Sequence, residues 1–118
     1  MTLEQYKTSL TTLTPLSSPF ENIAHMLMGM QTELGELTDI HKKHLAYNKP
    51  IDEINEKEEI GDLLWYIAGY AHYRNINLDE CLQHNLNKLQ QRYPNGFNVE
   101  HAVNRDINKE LITFTKDR

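Results

Sequence analysis

The placement of helix breakers constrains this chain most. Its 118 residues include five glycines and four prolines, and the prolines sit where they act as punctuation. Pro15 and Pro19 flank Ser17 and Ser18, so residues 14–19 read as a loop; Asn48-Lys49-Pro50 and Pro94-Asn95-Gly96 read as two more. The stretches between these loops are long, and none alternates polar with apolar residues as a half-buried strand does. The expected fold class is therefore all-α. The spacing predicts helices over about residues 3–13, 20–47, 52–74 and 78–93. In the second, Ile23, Leu27, Met30, Leu34 and Leu37 step by four and three and read as a core-facing stripe. Ile60, Leu63, Leu64, Ile67 and Ala71 do the same in the third, and Leu82, Leu86, Leu89 and Tyr93 in the fourth. Asn77 suits an N-cap, and Glu21, Asp52 and Glu53 suit the positive ends of their helices. Val99, Val103, Ile107 and Leu111 mark a further amphipathic stretch. The short link between the second and third helices makes them antiparallel neighbours. The expectation is a helical hairpin core that the fourth helix extends to a four-helix-bundle-like unit.

The length allows one domain, 1–118, with a core over 20–97, an N-terminal helix and a C-terminal extension over 98–118. Hydrophobic residues make up 39% of it, which is lean for so short a chain, because small monomers bury a modest fraction of their surface. Completion of the bundle by oligomerisation, as a homodimer or homotetramer, is therefore expected. With 12 basic against 17 acidic residues the formal charge is −5, a poor match to duplex nucleic acid or an anionic membrane. The lone Cys81 rules out an intrachain disulfide and fits a reducing compartment, and no apolar run approaches the ~20 residues of a membrane span. The N-terminus lacks an apolar signal core. A cytoplasmic protein is expected.

The informative motif is a short internal repeat. Glu33-Leu34-Gly35-Glu36-Leu37 and Glu59-Ile60-Gly61-Asp62-Leu63 share the form acid, aliphatic, glycine, acid, leucine. Acids three apart lie on one helix face. Each here immediately precedes a stripe residue, so both pairs are expected at the edge of the core, where an antiparallel hairpin brings four carboxylates together. Like charges at close range raise one another's pKa or push the helices apart. A divalent cation removes that conflict, and Mg²⁺ suits an all-oxygen donor set shared with substrate phosphates. A glycine costs about 1 kcal/mol in a helix interior. Two at equivalent positions are expected to serve close backbone approach or room for ions. The competing reading is a solvated acidic face: Glu36 with Asp39, Glu53 with Glu56 and Glu56 with Glu59 share the same spacing. The six histidines show no zinc pattern, no Glu-x-x-His pair exists, and no phosphate-binding Gly-rich loop is present. Cys81 reads as a core-edge residue.

On the fourth helix Asn85, Lys88 and Arg92 step by three and four beside the leucine stripe. An amide and two cations on one edge suit phosphate oxygens, or simply a solvated face. Lys42 and Lys43 read as surface residues. Trp65 lies one turn beyond Asp62, where it lines a nucleobase pocket or packs in the core or an interface.

Taken in order, Glu33-Leu-Gly-Glu36, Glu58-Glu59-Ile-Gly-Asp62-Leu-Leu-Trp65-Tyr66 and Asn85-x-x-Lys88-Leu-x-x-Arg92-Tyr93-Pro94-x-Gly96-Phe97 resemble a MazG-type nucleotide pyrophosphohydrolase of the all-α NTP pyrophosphatase superfamily. The likeness is greatest to the short single-domain members, phage-encoded ones included, and covers residues 20–97. It implies a Mg²⁺-dependent enzyme, with Mn²⁺ as a substitute, that converts a nucleoside triphosphate and water to the monophosphate and pyrophosphate. It also implies dimers or tetramers. By that resemblance Glu33, Glu36, Glu59 and Asp62 are the metal ligands and catalytic acids, Glu33 being the candidate proton acceptor. Asn85, Lys88, Arg92 and Trp65 are the candidate substrate contacts, and Arg105 a further phosphate contact. Thr32 stands where many members carry a second acid. Two alternatives stay open: a non-catalytic helical interaction module, and the same site acting on an alarmone or a modified nucleotide.

Overall fold

A computed structural model describes residues 1–10, 13, 15–16 and 18–96. Phe97, Arg105 and the amphipathic stretch from Val99 to Leu111 lie outside the described residues. The regular elements among the described residues are four helices: α1 (Leu3–Thr8), α2 (Pro19–Tyr47), α3 (Glu53–Arg74) and α4 (Leu78–Arg92). The all-α expectation holds, and the bounds of the last three fall within a residue of those predicted. The chain forms two compact units, Met1–Ile76 and one from Asn77 onward.

Each helix starts on a side-chain cap. Thr2, Ser18, Asp52 and Asn77 accept hydrogen bonds from the backbone N–H of Gln5, Glu21, Asn55 and Glu80. Asn48 and Asn75 close α2 and α3 in the left-handed region (φ 53° and 54°), which Asn tolerates better than other non-glycine residues. The first helix is shorter than predicted, ending at Thr8. The Thr8 and Ser9 hydroxyls donate to the carbonyls of Gln5 and Tyr6. Hydroxyl residues offer the backbone such alternatives to a continued helix.

In the first unit α2 and α3 pack antiparallel. Met26 meets Gly69, Gly29 meets Tyr66, and His41 Nε2 lies 3.3 Å from Glu56 Oε2, so contacts on α3 run backwards as α2 advances. Close backbone approach belongs to Gly29 and Gly69. A Cβ on Gly29 would run into the Tyr66 ring, and one on Gly69 into the Met26 sulfur. The repeat glycines behave differently from expectation: a Cβ on Gly35 or Gly61 would meet nothing within 4 Å. Helical geometry also turns each of them ~130° away from its acid pair, so they make no room for ions. α1 packs on α3, where Lys7 Nζ donates to the Ile76 carbonyl (2.8 Å) and pairs with Glu4 (2.7 Å).

The core line of α2 is shifted from the predicted stripe. Met26, Gly29 and Ile40 are buried and Ile23, Met30, Glu33 and Leu37 half-buried, whereas Leu27 and Leu34 are exposed. Steps of three and four can start on either of two neighbouring residues; the small Gly29 and Gly69 let α3 approach on the side that buries Met26. Ile60 is exposed on α3 for the same reason, and Glu59 takes the inward position. In the second unit Leu78 is buried, while Leu82, Leu86 and Leu89 of the predicted stripe are exposed, as is Cys81, which is not a core-edge residue. Tyr93, Pro94, Asn95 and Gly96 form the expected turn, Gly96 N–H donating to the Tyr93 carbonyl with φ at 92°. No helix among the described residues is long and apolar enough to cross a membrane.

Candidate metal centre

The antiparallel register brings the two repeat copies level with each other. Glu33 on α2 and Glu59 and Asp62 on α3 each offer a carboxylate oxygen, and these oxygens lie within 4.8 Å of one another. Glu59 is buried on the interhelical face, further in than the edge expected, whereas Glu33 is half-buried and Asp62 exposed. Glu59 is 7% exposed, the buried charged residue among the described ones. Oε2 of Glu33 and Oε2 of Glu59 are both buried without a hydrogen-bond donor. A buried carboxylate oxygen left unpartnered is costly.

Glu36 is exposed, one turn along α2. Its carboxyl is pushed above its ordinary value near 4.5, foremost by the neighbouring Glu59 and then by desolvation and Asp62. The Glu59 carboxyl is pushed up as well, foremost by Glu33, with desolvation and Asp62 adding to it and Glu36 opposing. Three of the four predicted acids thus offer oxygens to one point, and Glu36 lies beside Glu59, which pushes its carboxyl up. Among the described residues the cluster holds no acid that the sequence had not singled out.

Whether this donor set fits a cation follows from its chemistry. All donors are carboxylate oxygens, which suits a hard divalent ion and not a thiophilic one. Opposed ligands around Mg²⁺ lie ~4.2 Å apart, close to the span seen here. The two orphaned oxygens are what a cation would satisfy. The residues fit the group.

Residues 21–97 match the MazG nucleotide pyrophosphohydrolase domain, a span holding both repeat copies and α4. The chain belongs to the MazG nucleotide pyrophosphohydrolase family. It is also 32% identical over 80 residues to the Gene 37 protein of Mycobacterium phage L5, covering 64% of this chain and 70% of that one. No solved structure matches it.

The other residues singled out in this MazG domain fall as follows. Trp65 is half-buried on α3 and packs edge-on against Tyr66, ring centroids 5.0 Å apart. Asn85, Lys88 and Arg92 lie on α4, in the second unit; Asn85 is exposed, Lys88 and Arg92 half-buried. The Arg92 guanidinium lies 5.7 Å from the centre of the Tyr93 ring. Lys42 and Lys43 are surface residues, both paired with Asp39, at 3.2 and 3.0 Å. The Thr32 hydroxyl donates to the Gly29 carbonyl. What the sequence did not signal is the packing that sets the site: Met26, Gly29, Tyr66 and Gly69 fix how closely α2 and α3 approach, and their glycines stand outside the repeat.

Proposed function

We propose that this protein is a Mg²⁺-dependent nucleoside triphosphate pyrophosphohydrolase, releasing the monophosphate and pyrophosphate, in the cytoplasm. The observation that carries the reading is the convergence of Glu33, Glu59 and Asp62 with two buried, unpartnered oxygens, in a chain of the MazG family. Glu33, Glu59 and Asp62 would hold the cation, with Glu36 beside them; Mn²⁺ offers the same preference for oxygen donors. When bound, the ion supplies neutralisation of phosphate oxygens and a lowered pKa for water.

In the reaction the oxygen of water bonds to the α-phosphorus, and the bridging bond from that phosphorus to the β-phosphate oxygen breaks. The electron pair leaves with pyrophosphate, and the water's proton goes to a carboxylate. Glu33 is the assigned acceptor, as a carboxylate that can offer one oxygen to the cation and keep the other for a proton. Asn85, as an amide donor, and Lys88 and Arg92, as cations, are assigned to phosphate oxygens on their chemistry and spacing along α4. Trp65 is assigned to the nucleobase, for the aromatic face it can offer.

The deciding experiment is a screen of the purified protein against all ribo- and deoxyribonucleoside triphosphates with Mg²⁺, products identified by mass. Monophosphate and pyrophosphate from at least one substrate, lost in Asp62→Asn, is the expected result. No turnover together with no calorimetric Mg²⁺ binding would make the chain a non-catalytic module.

A further inference from the structure

One ring on α2 serves neither the acid cluster nor the core. His25 is exposed, yet its ring lies edge-on to Tyr66, with centroids 5.9 Å apart and planes at 81°. Tyr66 in turn meets Trp65 edge-on, at 5.0 Å and 87°. The three rings join both helices of the hairpin, His25 from α2 and the other two from α3. Gly29 makes the junction: one turn beyond His25, the Tyr66 ring occupies the space that a Cβ would take.

The line on which His25 stands leads to the acids. His25, Gly29, Thr32 and Glu36 are spaced four, three and four, so they share one side of α2. Asp62, Trp65 and Tyr66 share one side of α3 by the same rule. Glu36 and Asp62 stand at one end of this pair of lines and His25 at the other, with the uncharged Gly29 and Thr32 between. By helix rise, Trp65 and Tyr66 lie ~5–6 Å along the axis from Asp62, and His25 ~12 Å from Glu33. The contacts of Met26 with Gly69 and of Gly29 with Tyr66 keep one antiparallel register, so both displacements run the same way from the acids. A nucleotide whose phosphates sit at the acids carries its base away from them along the hairpin. In the other direction His41 is paired with Glu56, and Asp39 with Lys42 and Lys43. Ion pairs of that kind suit phosphates; the ring cluster suits a base.

We infer that His25 is a nucleobase contact, its ring forming the outer end of an aromatic platform that continues through Tyr66 to Trp65. The inference rests on the proposed reading of the site as a nucleotide hydrolase. It adds to that reading a residue and an orientation: base toward the start of α2, phosphates at the acids. Contact between a base and an aromatic ring tolerates any base, because every base has a π-face. His25 therefore strengthens the binding of nucleotides as a class and takes no part in the chemistry at phosphorus.

The test compares the full-length wild type with His25→Ala and His25→Phe, using nucleoside triphosphates and inorganic tripolyphosphate, which has no base, in Mg²⁺. Nucleotide binding is read from the fluorescence of Trp65, the single tryptophan, tripolyphosphate binding by calorimetry, and turnover separately. His25→Ala is expected to weaken nucleotide binding and raise KM by about tenfold. Its kcat, its affinity for tripolyphosphate and its helical circular dichroism are expected to stay at wild-type values, the pattern of an interaction equal in ground and transition states. His25→Phe, which keeps a ring, is expected to restore KM. An unchanged KM in His25→Ala, an equal loss of tripolyphosphate binding, or a His25→Phe variant as weak as His25→Ala would each overturn the inference. A protein that binds nucleotides through His25 without hydrolysing them would sink the proposed activity and leave His25 in place; one that hydrolyses them with His25→Ala unimpaired would do the reverse.

Discussion

The two copies of the acidic repeat are almost the same in sequence and differ in what surrounds them. In the α3 copy the first acid, Glu59, is buried on the interhelical face, the second, Asp62, is exposed, and the glycine borders a groove beneath α1 that Tyr6 and Leu64 also line. In the α2 copy the first acid, Glu33, is half-buried, the second, Glu36, is exposed, and the glycine opens outward with no element of the first unit over it. One local pattern thus serves two environments. A repeat fixes which residues share a helix face, whereas packing decides how far each is dehydrated. The deeper carboxylate is therefore expected to bind the cation hardest and to cost the metal-free fold most.

That difference can be broken directly. Glu59→Gln is expected to lower Mg²⁺-dependent turnover by at least ~100-fold, about 2.7 kcal/mol of transition-state stabilisation. It should also raise the melting temperature of the metal-free protein, because the amide it introduces can donate to Glu33 where a carboxylate repels it. Glu36→Gln, in the more exposed copy, is expected to do both to a smaller degree. Steady-state kinetics with Mg²⁺ titration and metal-free thermal melts check the ranking. Equal losses from the two substitutions would show that depth of burial does not set the division of labour.

The elements were legible because they depend on local chemistry: the caps at Ser18, Asp52 and Asn77 and the breakers at Pro50 and Pro94 act over a few residues. The acid pairs were legible for a similar reason, since spacing of three fixes their common face. The inward line of α2 was not. Leu27 and Met26 are neighbours of similar apolarity, and the choice between them rests on Gly69, 43 residues further along, which gives Met26 somewhere to go. Read by propensity, a glycine inside a helix is a cost; only the partner helix shows whether it buys contact, as Gly29 and Gly69 do, or lines open space, as Gly35 and Gly61 do.

The glycines allow a second, smaller contrast. Gly29→Ala forces its Cβ into the Tyr66 ring at the α2–α3 contact, and overpacking of this kind typically costs about 1–3 kcal/mol. Gly61→Ala meets nothing, removes the helix penalty of glycine and is expected to stabilise the fold by up to about 1 kcal/mol. Chemical denaturation of the two variants should move the midpoint in opposite directions. A Gly61→Ala variant as damaged as Gly29→Ala would mean that something covers Gly61 as tightly as Tyr66 covers Gly29.

The gentlest probe of the two copies is pH. Glu36 and Glu59 are both held above their ordinary value near 4.5, foremost by Glu59 and by Glu33 respectively, and the unfolded chain lacks those neighbours. From about pH 4.5 up to the raised values, the folded protein therefore binds more protons than the unfolded one. Its stability falls as pH rises through that window and recovers as pH falls. Asp39 has the opposite sign: Lys43 and Lys42 hold its carboxyl below 3.8, so its contribution is present at neutral pH and lost only in stronger acid. The metal-free protein is expected to melt at higher temperature at about pH 5 than at about pH 7.5, and Glu59→Gln is expected to flatten that slope more than Glu36→Gln. Saturating Mg²⁺ should reverse it, because carboxylates must be deprotonated to bind a cation. A metal-free melting profile that is level across this range, and unaffected by either substitution, would mean that the two copies do not share a field.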